Sequence, residues 1–323
     1  MEFDFLLDLM QRNNDWRAFE NRWRFNFSRR VQINVSDGES PIVNAKVELL
    51  DERETVIFQA QTDNKGVAYV FNNINPHNEI QAASIRVSTT LSVIQDIDPY
   101  ITQYDIVLPN RQQAKSLDLM LVIDTTGSMS DELEFLKAEL DDIIRQVKKD
   151  NANIPVRLSV NVYRDIGDEY VVRSMPFGER LNEQLDFLNA QSARGGGDFE
   201  EAVEMALADA LDEHDWNEEA MARILLLVLD APPHYTESIC TEMHRLTLKA
   251  AEMGVRIIPV ASSGIDKNTE FILRSLSIAT GGTYTFLTDH SGVGNPHLEP
   301  TIGEYNVELL NDLLVRLING YLQ

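Results

Sequence analysis

The chain has 323 residues, 43% apolar and 25% charged, with 52 acidic side chains against 28 basic ones. Such a length and balance belong to a globular protein with room for two domains, which excludes a wholly disordered or fibrous chain. A net charge of −24 speaks against nucleic acid and anionic lipid as partners, since both need clustered Lys and Arg; it suits divalent cations, basic partners or plain solubility. The single Cys240 cannot form an intramolecular disulfide. No apolar run approaches the ~20 residues that span a bilayer, so direct membrane insertion is not expected. The opening MEFDFLLDLMQ is interrupted by acids and is a poor signal peptide, so the chain reads as soluble as written.

In residues 1–29, Trp16, Phe19 and Trp23 recur at i, i+3 and i+7, which predicts one or two short amphipathic helices. That stripe packs either on the chain's own domains or on another protein. From 30 to 115 the texture changes to short alternating segments separated by turns. Val31–Val35, Ala45–Leu49, Thr55–Ala60 and Val67–Phe71 read as strands, with Asp63-Asn-Lys-Gly66 a turn between the last two. The absence of helical periodicity predicts a small all-β sandwich domain. Charge divides at the same boundary: residues 1–115 hold 16 acids and 12 bases, residues 116–323 hold 36 and 16.

From 116 to 323 strands and helices alternate, the pattern of an α/β fold. Leu117–Ile123 is a buried-strand run, and Ser130–Lys149 carries Leu133, Leu136, Leu140, Ile143, Ile144 and Val147 on one helical stripe. Ser130 and Asp131 stand where caps belong. Val156–Val162 and Tyr170–Met175 are strands too close for a crossover helix, hence antiparallel. Helices follow around 180–191 and 199–214, then the apolar strand Ile224–Leu229, helix 236–252, strand 255–261, helix 268–279, strand 283–287 and helix 304–319. The prediction is a doubly wound, mostly parallel six-stranded sheet with one antiparallel edge strand, flanked by helices.

Ligands of open α/β sheets bind beyond the carboxyl ends of the strands. There Asp124-Thr-Thr-Gly-Ser128 directly follows the first strand of this region, and Asp230 ends the strand Ile224–Leu229. Asp124, Thr126 and Ser128 alternate, so three oxygens can converge, with Gly127 permitting the tight turn. Oxygen-only donors with few charges suit hard cations, Mg²⁺ above all. The competing reading makes Ser128 or Ser130 a helix cap.

Asp124-Thr-Thr-Gly-Ser-Met-Ser130 resembles the metal-ion-dependent adhesion site of von Willebrand factor type A domains, also called integrin I domains, and the order of elements over 116–323 is similar. The resemblance implies metal ligation by Asp124, Thr126, Ser128 and Asp230, Thr126 standing where the family's pattern has Ser. The family's remaining ligand, usually Thr, falls in Gly195-Gly-Gly-Asp198-Phe-Glu-Glu201, similar to a bacterial and hemicentin-like branch. Asp198 is the candidate there, direct or through water, with Glu201 behind it; otherwise Asp198 only caps the next helix. A third carboxylate would hold the metal more tightly and leave it a weaker electrophile. Asp165 is placed near the same edge, as a second-layer residue or as an ion-pair partner of Arg164 or Arg173. His234 is placed on the rim or in an ordinary loop, and His290 and His297 in the loop 289–303 frame the site. Asp131-Glu132, Glu200-Glu201 and Glu218-Glu219 read as solvated helix faces.

Pro41–Val47 with Thr62-Asp-Asn-Lys-Gly-Val-Ala-Tyr-Val-Phe71 resembles a carboxypeptidase regulatory-like, transthyretin-type β-sandwich, which tilts the location slightly toward the cell envelope or outside. The resemblances together imply a non-catalytic, Mg²⁺-dependent (or Mn²⁺- or Ca²⁺-dependent) adhesion module whose protein partner gives an acidic side chain to the metal. A cytosolic scaffold for an ATPase complex is the alternative. A metal-dependent phosphatase is disfavoured by Thr126, where a second Asp is needed, and no G-x-S-x-G or H-E-x-x-H occurs.

Overall fold

The computed structural model describes residues 2–27, 29–72, 74, 80–109, 115–262, 264–287 and 309–323. Two helices open the chain, α1 (Glu2–Arg12) and α2 (Asn14–Trp23), the second capped by Asn13. The predicted aromatic stripe packs on the chain itself. Trp16 and Trp23 are buried, Trp16 and Phe19 meet Phe271, and the Trp23 indole donates to Asn268 Oδ1 at 2.7 Å.

Seven strands follow: β1 (Arg30–Ser36), β2 (Lys46–Leu50), β3 (Val56–Gln61), β4 (Val67–Phe71), β5 (Ser84–Ser88), β6 (Ser92–Asp96) and β7 (Gln103–Val107). They form a three-stranded sheet, β4-β1-β7, and a four-stranded sheet, β3-β2-β5-β6. Alternating side chains of β1 point inward, as period two requires. Ile33, Val47, Phe58, Phe71 and Ile85 belong to one buried cluster.

The remaining elements are β8 (Leu117–Asp124), α3 (Ser130–Asp150), β9 (Val156–Tyr163), β10 (Val172–Ser174), α4 (Leu181–Asn189), α5 (Val203–Asp212), β11 (Ala222–Leu229), α6 (Glu237–Met253), β12 (Val255–Ala261), α7 (Lys267–Thr280), β13 (Thr285–Phe286) and α8 (Leu310–Gly320). The six strands order as β10-β9-β8-β11-β12-β13, parallel except for β10, which runs antiparallel to β9. β8, β11 and β12 are buried along their whole lengths, which explains their nearly unbroken apolar runs. One face of the sheet packs under α3 and α8. The other shares a continuous core with α5, α6, α7, the opening helices and the β-rich region.

Three expectations shift. Helix α5 starts at Val203 rather than 199, because 198–202 continues as a loop joined to the turn after β11 through Glu201 N–H to Pro232 O, 3.0 Å. Ser130 and Asp131 do not cap α3: the cap position is Met129, without a side-chain bond, after a 3₁₀ turn over Gly127–Met129. Glu132 and Glu201 are buried rather than solvated, whereas Glu218 and Glu219 are exposed as expected. The first residues of the predicted helix 304–319 lie outside the described residues, as do His290 and His297.

Candidate metal centre

β8 and β11 are parallel neighbours with Ile123 opposite Val228, so Asp124 and Asp230 emerge side by side at the carboxyl end of the sheet. Asp124 is fully buried. Its Oδ1 accepts from Thr126 N at 2.8 Å and from Thr126 Oγ1 at 2.7 Å, and Thr126 Oγ1 lies 3.4 Å from Ser128 Oγ. The Ser128 hydroxyl hydrogen-bonds the Asp230 carboxylate rather than capping a helix. Asp124, Thr126, Ser128 and Asp230 are therefore linked by side-chain hydrogen bonds and shared charge.

The glycine loop closes over this group. Gly127 N donates to Gly195 O at 3.2 Å and Arg194 N to Thr125 O at 3.0 Å. Gly127 itself has no left-handed backbone, and a Cβ there would meet Gly195 O at 3.4 Å, an ordinary contact, so the turn does not require glycine at this position. Asp168 accepts from Gly196 N at 2.9 Å and clamps the loop, a role that no sequence feature singled out. Gly195 and Gly196 adopt φ of +85° and +74°. A Cβ on Gly196 would lie 2.9 Å from Glu201 Oε1 and 3.3 Å from Thr126 Cβ, which places the Glu201 carboxylate against the Asp124 group. Gly196→Ala is expected to cost about 1–2 kcal/mol for the left-handed backbone and to weaken divalent-cation binding by displacing Glu201. Thermal melts with and without Mg²⁺ check both effects.

The electrostatics describe a concentrated negative charge. Burial, then the neighbouring Asp230, pushes the Asp124 carboxyl up to about 7. Burial, then Asp124 and Asp165, pushes Glu201 to about 9. Burial raises Asp230 as well, partly offset by the Ser128 hydrogen bond. Asp124 Oδ2, Asp230 Oδ1 and Glu201 Oε2 are all buried without a hydrogen-bond partner. Buried polar atoms are nearly always satisfied, and gathered carboxylates repel unless a cation or protons neutralise them. Carboxylates of this kind beside two hydroxyls have the all-oxygen chemistry that Mg²⁺, Mn²⁺ or Ca²⁺ takes, although their ligand atoms are less tightly gathered than those of Asp165, Asp198 and His234.

Asp198 and Glu201 stand otherwise than expected. Glu201 is buried and couples to Asp124, whereas Asp198 is exposed and sits with Asp165 and His234. Asp198 does not cap α5, whose cap position is Ala202. Asp165 pairs with neither Arg164 nor Arg173: its Oδ1 meets His234 Nε2 at 2.8 Å, while both arginines turn to Glu169. Glu132, whose charge acts on Asp230, and Glu204 were missed. Their spacing did carry a signal, since Glu132 precedes Leu136 and Leu140 by multiples of four and Glu204 precedes Leu207 and Leu211 at i+3 and i+7.

The family model of the von Willebrand factor A domain matches residues 118–292. The chain belongs to the von Willebrand factor A domain family. The matched stretch begins within β8 and takes in Asp124, the glycine loop and Asp230. Among curated proteins, an ariadne-like RING finger protein of Acanthamoeba polyphaga mimivirus is 31% identical over 119 residues, 37% of this chain. The chain spans only about 11% of that relative's length. Among solved structures, the conserved hypothetical protein BatB from Bacteroides thetaiotaomicron is similar, with a TM-score of 0.44 and 11% identity, over 64% of this chain and 98% of BatB. Members of this family are generally interaction modules, and the acidic edge of the sheet offers oxygen and imidazole donors for a divalent cation.

Proposed function

We propose that this chain is a non-catalytic protein-binding module in which Asp124, Thr126, Ser128, Asp230 and Glu201 hold Mg²⁺ or a similar hard cation, with Asp198 on the rim. The observation that carries this reading is a set of three buried carboxylate oxygens without hydrogen-bond partners, on residues whose charges act on one another where β8 and β11 end. When bound, the cation supplies an electrophilic centre for an acidic side chain of a protein partner. The chain's residues do the rest: hydroxyls of Thr126 and Ser128 donate without adding charge, and the Asp168-clamped loop sets the position of Glu201. Ile166, Phe199 and Tyr235, partly or well exposed, each directly follow an acid or histidine of the rim. They give a partner apolar surface beside the metal, which favours a protein over a small anion as ligand. Residues 30–115 serve in this reading as an accessory sandwich of the carboxypeptidase regulatory-like kind, attached to the adhesion domain over 116–323.

Calorimetric titration with Mg²⁺ and Mn²⁺ tests the proposal. Wild type is expected to take up the cation, and Asp124→Ala to lose affinity by roughly a hundredfold or more, the upper range for disturbed metal sites. Chelator is expected to release any captured acidic partner. No uptake by wild type, or equal uptake by Asp124→Ala, overturns the reading.

A further inference from the structure

Beside the Asp124 group lies a second set of donors, on the rim rather than among the residues proposed to hold the adhesion cation. Asp165 follows β9, Asp198 ends the glycine run, and His234 follows Pro232-Pro233 after β11. Three separate connections thus bring one ligand atom each to within 4.8 Å of one another. Asp165 is 8% exposed, His234 is half-buried and Asp198 is exposed, so the cluster runs from the interior of the rim out to solvent.

An independent observation points the same way. Glu204, in the first turn of α5, is only 6% exposed, yet its Oε2 is buried without a hydrogen-bond partner. Its carboxylate is close enough to His234 and Asp165 for both charges to act on it. A buried carboxylate oxygen left unsatisfied is costly, the more so when charged. A cation held by the neighbouring triad would supply the missing positive charge.

The donor chemistry separates this cluster from the Asp124 group. Two carboxylates and an imidazole suit borderline transition metals of the Zn²⁺, Co²⁺ and Ni²⁺ class, whereas an all-oxygen set with hydroxyls suits Mg²⁺. Asp165 already meets His234 at 2.8 Å and orients its ring, so the loops need no large movement to present the three atoms together. We infer that Asp165, Asp198 and His234 form a second divalent-cation site for a borderline transition metal, separate from the Asp124-centred one and bordered by Glu204.

The test is titration of the full chain with Co²⁺ and Zn²⁺ in millimolar Mg²⁺, following Co²⁺ by its visible absorption and Zn²⁺ by calorimetry. Wild type is expected to bind one transition-metal ion under these conditions. His234→Gln and Asp198→Asn are expected to weaken that binding at least tenfold, and Asp124→Ala to leave it within about twofold. Asp198 is exposed, so Asp198→Asn reports on the site even where His234→Gln perturbs folding. Absence of transition-metal binding in excess Mg²⁺, or binding indifferent to both rim variants, overturns the inference and leaves the Asp165–His234 contact as a loop tether only. A wild type that binds Co²⁺ through His234 but takes up no Mg²⁺ overturns the adhesion-site reading and sustains this one.

Discussion

Arg223→Ala is expected to destabilise the protein by about 3–5 kcal/mol, the range for removing one partner from a buried polar network. Arg223 is the second residue of β11 and is 2% exposed. Its Nη1 donates to the carbonyls of Asn217, Glu218 and Ala220 at 3.0, 2.8 and 3.2 Å, and its Nη2 to Asn44 Oδ1 and Gln61 Oε1, both at 2.8 Å. Asn44 and Gln61 belong to the β-rich region, so one guanidinium ties that region to the central strand of the α/β sheet. Burial, and then the neighbouring Arg256, lowers the Arg223 pKa to about 10, which still leaves it charged at neutral pH. Alanine would leave the buried Ala220 carbonyl and four partly buried acceptors without their donor. Lysine should recover little, because a point ammonium cannot span five acceptors as a planar fork does. Urea denaturation followed by tryptophan fluorescence gives the measurement. A loss below about 1 kcal/mol would mean that solvent or relaxation replaces the network.

The second large effect concerns charge at the carboxyl end of the sheet. With divalent cations removed, Asp124→Asn is expected to become more stable than wild type as pH rises from about 4 to 7. The folded-state pKa of Asp124, about 7, lies above its ordinary value of 3.8. The folded state therefore holds this proton more tightly than the unfolded chain. Its stabilising contribution is complete below the ordinary value and is lost as pH rises through about 7. A shift of that size corresponds to about 4 kcal/mol at the upper end. Asparagine keeps the acceptor for Thr126 N and Oγ1 and never ionises, so the difference between the two proteins reports this group together with its coupling to Glu201 and Asp230. Glu201, raised from 4.5 to about 9 by burial and then by the Asp124 charge, extends the loss above neutrality in wild type, and less so in the variant, which lacks that charge. On the proposed metal reading, millimolar Mg²⁺ is expected to reverse the order, because an ion bound at Asp124 would stabilise native wild type alone. Denaturation midpoints at a series of pH values, with chelator and with Mg²⁺, check the prediction; parallel curves for the two proteins would contradict it.

Much of this molecule is determined by local pattern. Unbroken apolar runs marked β8, β11 and β12 because strands covered on both faces have no use for alternation. The short link from β9 to β10 determined their antiparallel pairing, and the i, i+3, i+7 aromatics determined a helix around Trp16–Trp23. Asp124, Thr126, Ser128 and Asp230 were legible because each stands at the end of, or just beyond, a strand that the pattern had already located. What the aromatic stripe packs against was not legible; only the fold set Trp16 and Phe19 on Phe271, since contact across some 250 residues leaves no periodic trace.

The tertiary structure alone decided which acid of Gly195-Gly-Gly-Asp-Phe-Glu-Glu201 faces Asp124. The loop runs on to Ala202 because Glu201 joins Pro232 and Pro233 across a gap of thirty residues, and that pairing turns Glu201 inward and leaves Asp198 with Asp165 and His234. Spacing along a chain constrains side chains within one helix or strand. Where three loops meet, their mutual position depends on hydrogen bonds between segments distant in sequence, such as those of Asp168 and Gly195, so the partners of a loop acid emerge only when the sheet has brought its strand ends together.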